Sequence, residues 1–145
     1  MREILFRGKR LSDGVVVEGF YLFKTDPLLG IKRHFILAQL NNANGILNSE
    51  CAWFEVDPAT VGQYTGLQDK NGTKIFEGDI VRFKRINAVG WTTERTGQVL
   101  FDFSGIPTFF VLATTGDAWE FYDVEEIEII GNIHDNPELL EVQNG

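Results

Sequence analysis

The chain has 145 residues, 43% of them hydrophobic and 23% charged, a composition typical of a folded globular protein and not of a disordered one. No apolar run is long enough to cross a bilayer, and none follows the basic N-terminus as a secretory signal would, so the sequence predicts a soluble protein that is not secreted. The single cysteine, Cys51, excludes an intrachain disulfide, fits a reducing compartment and is expected to be buried.

The first half of the chain predicts an antiparallel β-sheet of four strands. Runs rich in β-branched and aromatic residues alternate with clusters of turn-forming residues, which is typical of strands joined by short connections. The predicted strands cover residues 4–7, 15–23, 34–40 and 52–56, with turns at 12–14 and 41–45. Pro58 ends the last strand, because proline cannot donate a hydrogen bond to a ladder.

Residues 63–83 combine turn and strand signals in one continuous segment. The pair Asn71-Gly72 tolerates positive φ and predicts a tight reversal. Gly78 then permits a second sharp turn, where the Asp79 carboxylate is expected to accept a hydrogen bond from nearby backbone.

The second half predicts four further strands and a short C-terminal helical turn. The strands cover residues 79–86, 96–103, 108–113 and 119–130, with a turn at 104–105. Asn136 is expected to cap the helical turn, with Pro137 at its first position. A Gly-Asp turn leading into an apolar strand, followed by hairpin-linked strands, predicts an SH3-like small barrel.

The predicted fold class is therefore mainly β, with two subdomains. Residues 1–62 form the additional N-terminal antiparallel β-sheet, and residues 63–145 form the SH3-like barrel together with the C-terminal helical turn. The central segment bridges the boundary, so the two halves are not expected to fold alone.

Four segments spread along the chain resemble the YopX-like proteins of phages and prophages. They are residues 1–8, 56–62, 63–83 and 130–140. The resemblance leaves out residues 20–51 and 87–95. It implies a small, mostly β protein of a mobile element, made in a bacterial cytoplasm, and it brings no established activity and no catalytic residues.

Residue types that carry catalysis are present without the spacing that catalysis needs. His34 and His134 are not spaced with another His or Cys as metal ligands are, and no nucleophile accompanies His134 and Asp135. The acidic residues of 117–128 alternate as on a solvated strand face and do not match a calcium loop. The sequence predicts no enzyme activity, no catalytic residue, no metal site and no cofactor.

Charge is distributed unevenly along the chain. Residues 1–60 carry seven basic and seven acidic side chains, residues 61–100 carry six and four, and residues 101–145 carry ten acidic side chains with no Lys or Arg. This segregation predicts a homo-oligomer in which the central region of one copy meets the acidic C-terminal third of another.

The main candidate binding site is a set of basic and aromatic residues on or beside strand 79–86. Its members are Lys70, Lys74, Arg82, Lys84, Arg85, Trp91 and Arg95. Basic side chains interleaved with aromatic ones can hold single-stranded nucleic acid by charge and stacking. An ordinary solvated strand edge gives the same pattern and is preferred, and Trp91 either contacts a partner or folds back on the barrel.

The sequence favours a non-enzymatic phage or prophage accessory protein that acts in the bacterial cytoplasm through protein–protein interaction. Its expected partners are further copies of the chain and an unknown host or phage protein, with no membrane. The alternative is a weak nucleic-acid-binding module that uses the basic strand and loop. A third hypothesis has the acidic C-terminal third mimic a phosphate backbone and occupy a host DNA-binding protein.

Overall fold

The computed structural model describes residues 3–41, 47–86, 88–102 and 107–141, with the backbone alone for residues 39–41 and 47–50. The fold is mainly β, as predicted. Antiparallel strands are accompanied by three short 3-10 turns, and no α-helix occurs among the described residues. The chain forms two compact units, which divide between Tyr64 and Thr65.

The first unit is built from five neighbouring strands. They are β1 (Phe6–Lys9), β2 (Val16–Thr25), β3 (Lys32–Asn41), β4 (Leu47–Glu55) and the first residues of β5 (Gly62–Gln68). Their pairings are antiparallel and follow the order β4-β3-β2-β1-β5. A 3-10 turn at Pro58–Thr60 precedes β5, and the Asp57 carboxylate caps it by accepting a hydrogen bond from the Ala59 N–H at 3.0 Å.

Strand β2 changes partner at Gly19. Residues up to Gly19 pair with β1, whereas those from Phe20 onward pair with β3. A Cβ atom at position 19 would lie 1.9 Å from the carbonyl oxygen of Leu37, far inside van der Waals contact. Glycine therefore allows β3 to approach β2 closely at the point where β2 passes from one neighbour to the other.

The core of the first unit lies on one face of β2, β3 and β4. Ile36 and Ala38 of β3 are buried there, together with Val56, which immediately follows β4. The half-buried residues that pack against them are Val17, Tyr21, Phe54 and Val61. Because side chains alternate along a strand, the residues between these positions point to the opposite face.

The second unit contains the remaining strands. They are β6 (Lys74–Phe76), β7 (Asp79–Ile86), β8 (Thr92–Asp102), β9 (Thr108–Ala113), β10 (Ala118–Glu120) and β11 (Glu125–Asn132). Strand β6 neighbours the continuation of β5, and the other five follow the order β10-β9-β8-β7-β11. The buried core of this unit comprises Ile75, Val81, Phe83, Val99, Val111, Ala113 and Val124.

The turns of the central segment form as predicted. Gly72 has a φ of 83°, and its N–H donates to the carbonyl oxygen of Asp69 at 3.0 Å. Gly78 has a φ of 93°, a conformation that favours glycine. The buried Asp79 carboxylate accepts a hydrogen bond from the Phe76 N–H at 2.8 Å and so closes the second turn.

Strands β7 and β9 have their predicted bounds. The continuous strand predicted over 119–130 is wrong, because a 3-10 turn at Phe121–Asp123 separates β10 from β11. Strands β5 and β6 had not been predicted as separate strands. The SH3-like barrel stays a prediction, since the strand order shows an antiparallel sheet and does not show closure.

The C-terminal turn differs from the prediction in its capping. A 3-10 turn over Pro137–Leu140 begins at Pro137, as predicted. The Asn136 side-chain oxygen instead accepts a hydrogen bond from the Asn132 N–H at 3.3 Å and makes no cap bond to the turn. The predicted turn at 104–105 lies outside the described residues, as does most of the one at 41–45.

Candidate binding surfaces

Three of the predicted basic residues lie together on the outer face of the second unit. Arg82 and Lys84 project from β7, and Lys70 follows β5. They line a cleft of about 130 Å³ that also contains Phe83 and three glutamates, which are Glu94, Glu126 and Glu128. This cleft, with its three cations and three carboxylates, is called the charged cleft below.

Each cation in the charged cleft is paired with one glutamate. Lys84 Nζ lies 2.9 Å from Glu126 Oε2, and the hydrogen bond raises the pKa of the lysine and lowers that of the glutamate. Arg82 Nε lies 3.5 Å from Glu94 Oε1. Lys70 Nζ lies 3.4 Å from Glu128 Oε2. The three basic residues, which by sequence could bind phosphate, are therefore in ion-pair contact with carboxylates of the same unit.

A bulge in β11 lies beside two of the three glutamates of this cleft, Glu126 and Glu128. Glu125 pairs with Lys84 and Glu128 pairs with Arg82, so three steps along β11 match two along β7. Glu126 is the residue that absorbs the extra step, with a φ of 50°. A bulge of this kind changes the direction in which the neighbouring side chains project from the strand. Both Glu126 and Glu128 consequently face cations across the ladder.

Arg85 and Arg95 lie on the opposite face of the same sheet. Arg95 is directly across from Phe83 in the β7–β8 pair, so it shares the face that holds the core. The Arg85 guanidinium stacks over the Trp119 ring at 3.6 Å from its centroid. The Asp117 carboxylate accepts hydrogen bonds from the Thr115 hydroxyl and the Trp119 indole, which lower its pKa.

The other two predicted residues occupy separate places. Lys74 is half-buried on β6. Trp91 is 73% exposed and lies immediately before β8, at the hairpin that follows β7. The seven residues thus do not form a single basic surface, because they are divided between two faces of a sheet, another strand and a hairpin.

A second surface, not predicted, lies on the outer face of the first unit. Phe20 is across from Leu37, which is across from Trp53, and Leu22 is across from Phe35. The five residues Phe20, Leu22, Phe35, Leu37 and Trp53 are called the apolar face below. Phe20 is 67% exposed and Trp53 is 50% exposed, although both occupy strand positions.

One part of the apolar face is concave. Leu22, Lys24, Phe35 and Trp53 line a cleft of about 300 Å³, called the apolar cleft below. The Lys24 ammonium lies 5.3 Å from the Phe35 ring centroid. Cations border this cleft at one end, because Lys24 is directly across from Arg33 in the β2–β3 pair.

The Arg33 guanidinium is held in place by β4. Two of its nitrogens donate to the two carboxylate oxygens of Glu55, each at 3.0 Å. This two-bond contact raises the pKa of the arginine and lowers that of the glutamate. Arg33 is therefore paired with a carboxylate, and Lys24 is the cation that lines the cleft itself.

The expectation that Cys51 is buried is wrong. Cys51 is exposed and lies two residues before Trp53 on β4, on the same side of the strand.

A signal for the apolar face was present in the sequence. Residues 15–23 and 34–40 are apolar at both odd and even positions, which predicts a strand with two apolar faces. The sequence does not show which of the two faces packs on a core.

His34, which begins the predicted third strand, contacts Tyr21 of the neighbouring strand β2. His34 Nδ1 and the Tyr21 hydroxyl are 2.5 Å apart, and the two rings stack with centroids 5.8 Å apart.

In the part of the chain that the structure describes, no three His, Cys, Asp or Glu side chains are grouped to hold a metal ion. No helix within the same residues has the length and apolar character needed to cross a membrane.

Fold and surfaces together define an all-β protein of two units, one with an apolar outer face and one with a charge-paired cleft. The chain belongs to the YopX family: the family model described as YopX protein matches residues 21–141. The resemblance predicted from the sequence is thereby confirmed. The segments 56–62, 63–83 and 130–140 lie inside the match, whereas residues 1–8 lie before it.

A solved structure shares the fold. It is the crystal structure of protein EF1440 from Enterococcus faecalis, which is 24% identical, with 97% of this chain and 100% of that chain covered and a TM-score of 0.53. A comparison with curated proteins found no match.

Proposed function

We propose that this protein is a non-enzymatic accessory protein of a phage or prophage that acts in the bacterial cytoplasm through protein–protein contact. The observation that carries the proposal is the apolar face. It gathers five large apolar side chains, two of them aromatic and at least half exposed, on one side of three adjacent strands. Contiguous exposed apolar surface of this kind marks interaction sites, because leaving it in water is unfavourable.

The composition around the apolar face also fits a protein interface. Aromatic residues and arginine are enriched in interfaces, and polar groups form their rim. Trp53 and Phe20 supply the aromatic area, and Arg33 with Glu55 forms a bidentate pair at the edge. A partner that covers Trp53 in a desolvated pocket would gain much of its affinity from that one side chain.

The nucleic-acid alternative has less support from the geometry. Lys70, Arg82 and Lys84 each face a glutamate at 3.5 Å or less, and Arg85 stacks on Trp119. Phosphate binding needs uncompensated positive charge, because counterion release drives it. The charged cleft has as many carboxylates as cations, and the whole chain has a net charge of −8.

Cys51 provides a direct test, because the only cysteine of the chain lies beside Trp53. In desalted extract of the host bacterium, a maleimide should label Cys51 several-fold more slowly than in dilute purified protein. The physical reason is that a partner on the apolar face excludes the reagent. The Trp53→Thr chain, which retains Cys51 but loses the aromatic contact, should label at the same rate in both solutions.

The matched control moves the thiol to the second unit. In the Cys51→Ser/Val89→Cys chain the cysteine occupies an exposed position on the hairpin after β7. Its labelling rate should be equal in extract and in buffer. Equal rates for the wild-type Cys51 would contradict the proposal, and so would protection that persists in the Trp53→Thr chain.

A further inference from the structure

The second unit carries an exposed tyrosine within an acidic turn. Tyr122 is 79% exposed and lies in the 3-10 turn at Phe121–Asp123, between β10 and β11. Its neighbours Phe121 and Val124 pack into the core and hold the turn in place. Three carboxylates surround it in sequence and are exposed, and they are Glu120, Asp123 and Glu125. Residues 120–125 are called the acidic turn below.

We propose that the apolar cleft of one copy binds the acidic turn of a second copy, so that copies of the chain join head to tail. This inference rests on the proposed function, since it uses the same contact surface and names a second copy as the partner. Tyr122 enters the cleft between Leu22, Phe35 and Trp53. The carboxylates of the turn then approach Lys24 at the rim.

The chemistry of the two surfaces is complementary. A tyrosine ring supplies large apolar area at a small cost in conformational entropy, which makes it a common interface anchor. The Tyr122 hydroxyl already bonds the Glu120 carboxylate, which raises the tyrosine pKa, so its polar end remains partnered when the ring is buried. Lys24 is a flexible cation that can follow the carboxylates.

The charge of the two units supports the same pairing. Residues 1–64 carry seven basic and seven acidic side chains and are neutral, whereas residues 65–145 carry six basic and fourteen acidic ones and so have the whole net charge of −8. Three of the six basic residues of the second unit, Lys70, Arg82 and Lys84, are already paired across the charged cleft. On the first unit of another copy, Lys24 at the apolar cleft offers the acidic turn an opposite charge, and attraction between them steers association.

Such an interface is heterologous, because each copy contributes two different surfaces. Repetition of the contact closes into a ring if the rotation allows it and extends as a filament if it does not. An open chain of copies leaves one unused apolar cleft at one end and one unused acidic turn at the other, whereas a closed ring leaves neither. This property makes the arrangement testable with two complementary variants.

The test uses sedimentation velocity on the full chain over a concentration series. The mass of the wild type should rise with concentration to species larger than a dimer. Tyr122→Ser and Trp53→Thr should each weaken self-association roughly tenfold or more, because each removes the aromatic side chain from one half of the contact. An equimolar mixture of the two variants should form a dimer and no larger species, since each supplies the surface that the other lacks.

Matched controls exclude general effects of the substitutions. Ile86→Ser alters another exposed apolar residue of the second unit and should associate as the wild type does. Tyr122→Phe keeps the ring and should retain most of the association. Far-UV circular dichroism on every variant should show the wild-type β spectrum, because the substituted side chains are exposed.

Other outcomes identify other arrangements. If Trp53→Thr is monomeric while Tyr122→Ser still dimerises, two apolar faces pack on each other, and the inference about the acidic turn is overturned. If the wild type is monomeric at every concentration, association with a second copy is overturned. Protection of Cys51 in host extract under those same conditions would leave the proposed function standing, with a different protein as the partner.

Discussion

At the scale of single residues, two buried carboxylates organise the central segment. Asp69 accepts hydrogen bonds from the N–H groups of Asn71 and Thr73 with one oxygen, both at 2.9 Å, and from Ile129 with the other at 3.1 Å. Asp79 closes the following turn through Phe76. Buried carboxylates are stable only when their oxygens are hydrogen-bonded in this way. Asp69 therefore holds both a local turn and the distant strand β11.

Stability at acidic pH should depend on Asp69. Its burial acts to raise its pKa, but the hydrogen bonds from Ile129, Thr73 and Asn71 outweigh burial, and the pKa is lowered. An unfolded aspartate has a pKa of about 3.9. The ionised folded form thus contributes stability above about pH 4, and this contribution is lost as the pH falls through the lower folded pKa.

Asp69→Asn should accordingly reduce the free energy of unfolding at pH 7 by roughly 1–3 kcal/mol, because the Ile129 N–H loses its acceptor. The difference between variant and wild type should narrow as the pH falls below about 4, because the carboxylate of the unfolded wild-type chain then binds a proton before that of the folded chain does. Urea denaturation at a series of pH values measures both quantities. A difference that stays constant from pH 7 to pH 3 would show that charge on Asp69 does not contribute.

Local residue chemistry was predictable, and its long-range partners were not. The Asn71-Gly72 turn and the Gly78-Asp79 turn follow from residue types that tolerate positive φ or bond nearby backbone. The bond from Ile129 to Asp69 joins residues sixty positions apart, and nothing local in either segment encodes it.

At the scale of elements, strand patterns located most of the sheet but not its breaks. The core-directed residues from β10 to β11 are Trp119, Phe121, Val124, Ile127 and Ile129. Consecutive core residues are two positions apart at both ends of this series, but three positions apart across the 3-10 turn and again across the bulge at Glu126. A strict alternation of two, which predicted one strand over 119–130, cannot accommodate those steps.

Strand β2 shows another limit of pattern reading. Its apolar run predicted a strand, and that strand exists over Val16–Thr25. The exchange of partner at Gly19 depends on how closely β3 approaches, which is a tertiary property. The apolar face could not be predicted for the same reason. Both faces of β2 are apolar, and only tertiary packing decides which of them stays exposed.

Gly19→Ala should destabilise the first unit. The added methyl group would overlap the Leu37 carbonyl, so β2 and β3 must separate or the backbone must distort. Overpacking of this kind costs typically 1–3 kcal/mol, occasionally more. Thermal unfolding should show a lower midpoint for this variant than for Ser12→Ala, which lies at an exposed turn nearby. A midpoint equal to that of the Ser12→Ala chain would show that the strands can separate at no cost.

At the scale of the whole molecule, part of the charge that is segregated along the sequence is paired within one copy of the chain. Basic residues of 61–100 and acidic residues of 101–145 were expected to meet between copies. Two of these contacts, Lys84 with Glu126 and Lys70 with Glu128, form within the second unit. Register and the β11 bulge decide this pairing, and neither is visible in composition.

The pairing leads to a prediction about nucleic acid. Wild-type protein should not bind a single-stranded oligonucleotide measurably at physiological salt, because the cations are compensated and the net charge of −8 repels phosphate. Replacing Glu94, Glu126 and Glu128 together by Gln should leave Lys70, Arg82 and Lys84 uncompensated. Binding should then become detectable at low salt by fluorescence anisotropy.

The salt dependence of that binding separates a local effect from a global one. Three phosphate contacts to a single strand predict a slope of about −2 in a plot of log affinity against log salt concentration. A control with Glu18, Glu138 and Glu141 replaced by Gln has the same change in net charge at exposed positions away from the charged cleft, and it should remain without binding. Equal binding by both triple variants would mean that overall charge, and not pairing in the cleft, keeps nucleic acid away. Binding by the wild type at physiological salt would restore the nucleic-acid alternative, because the glutamates would then fail to compensate the basic strand.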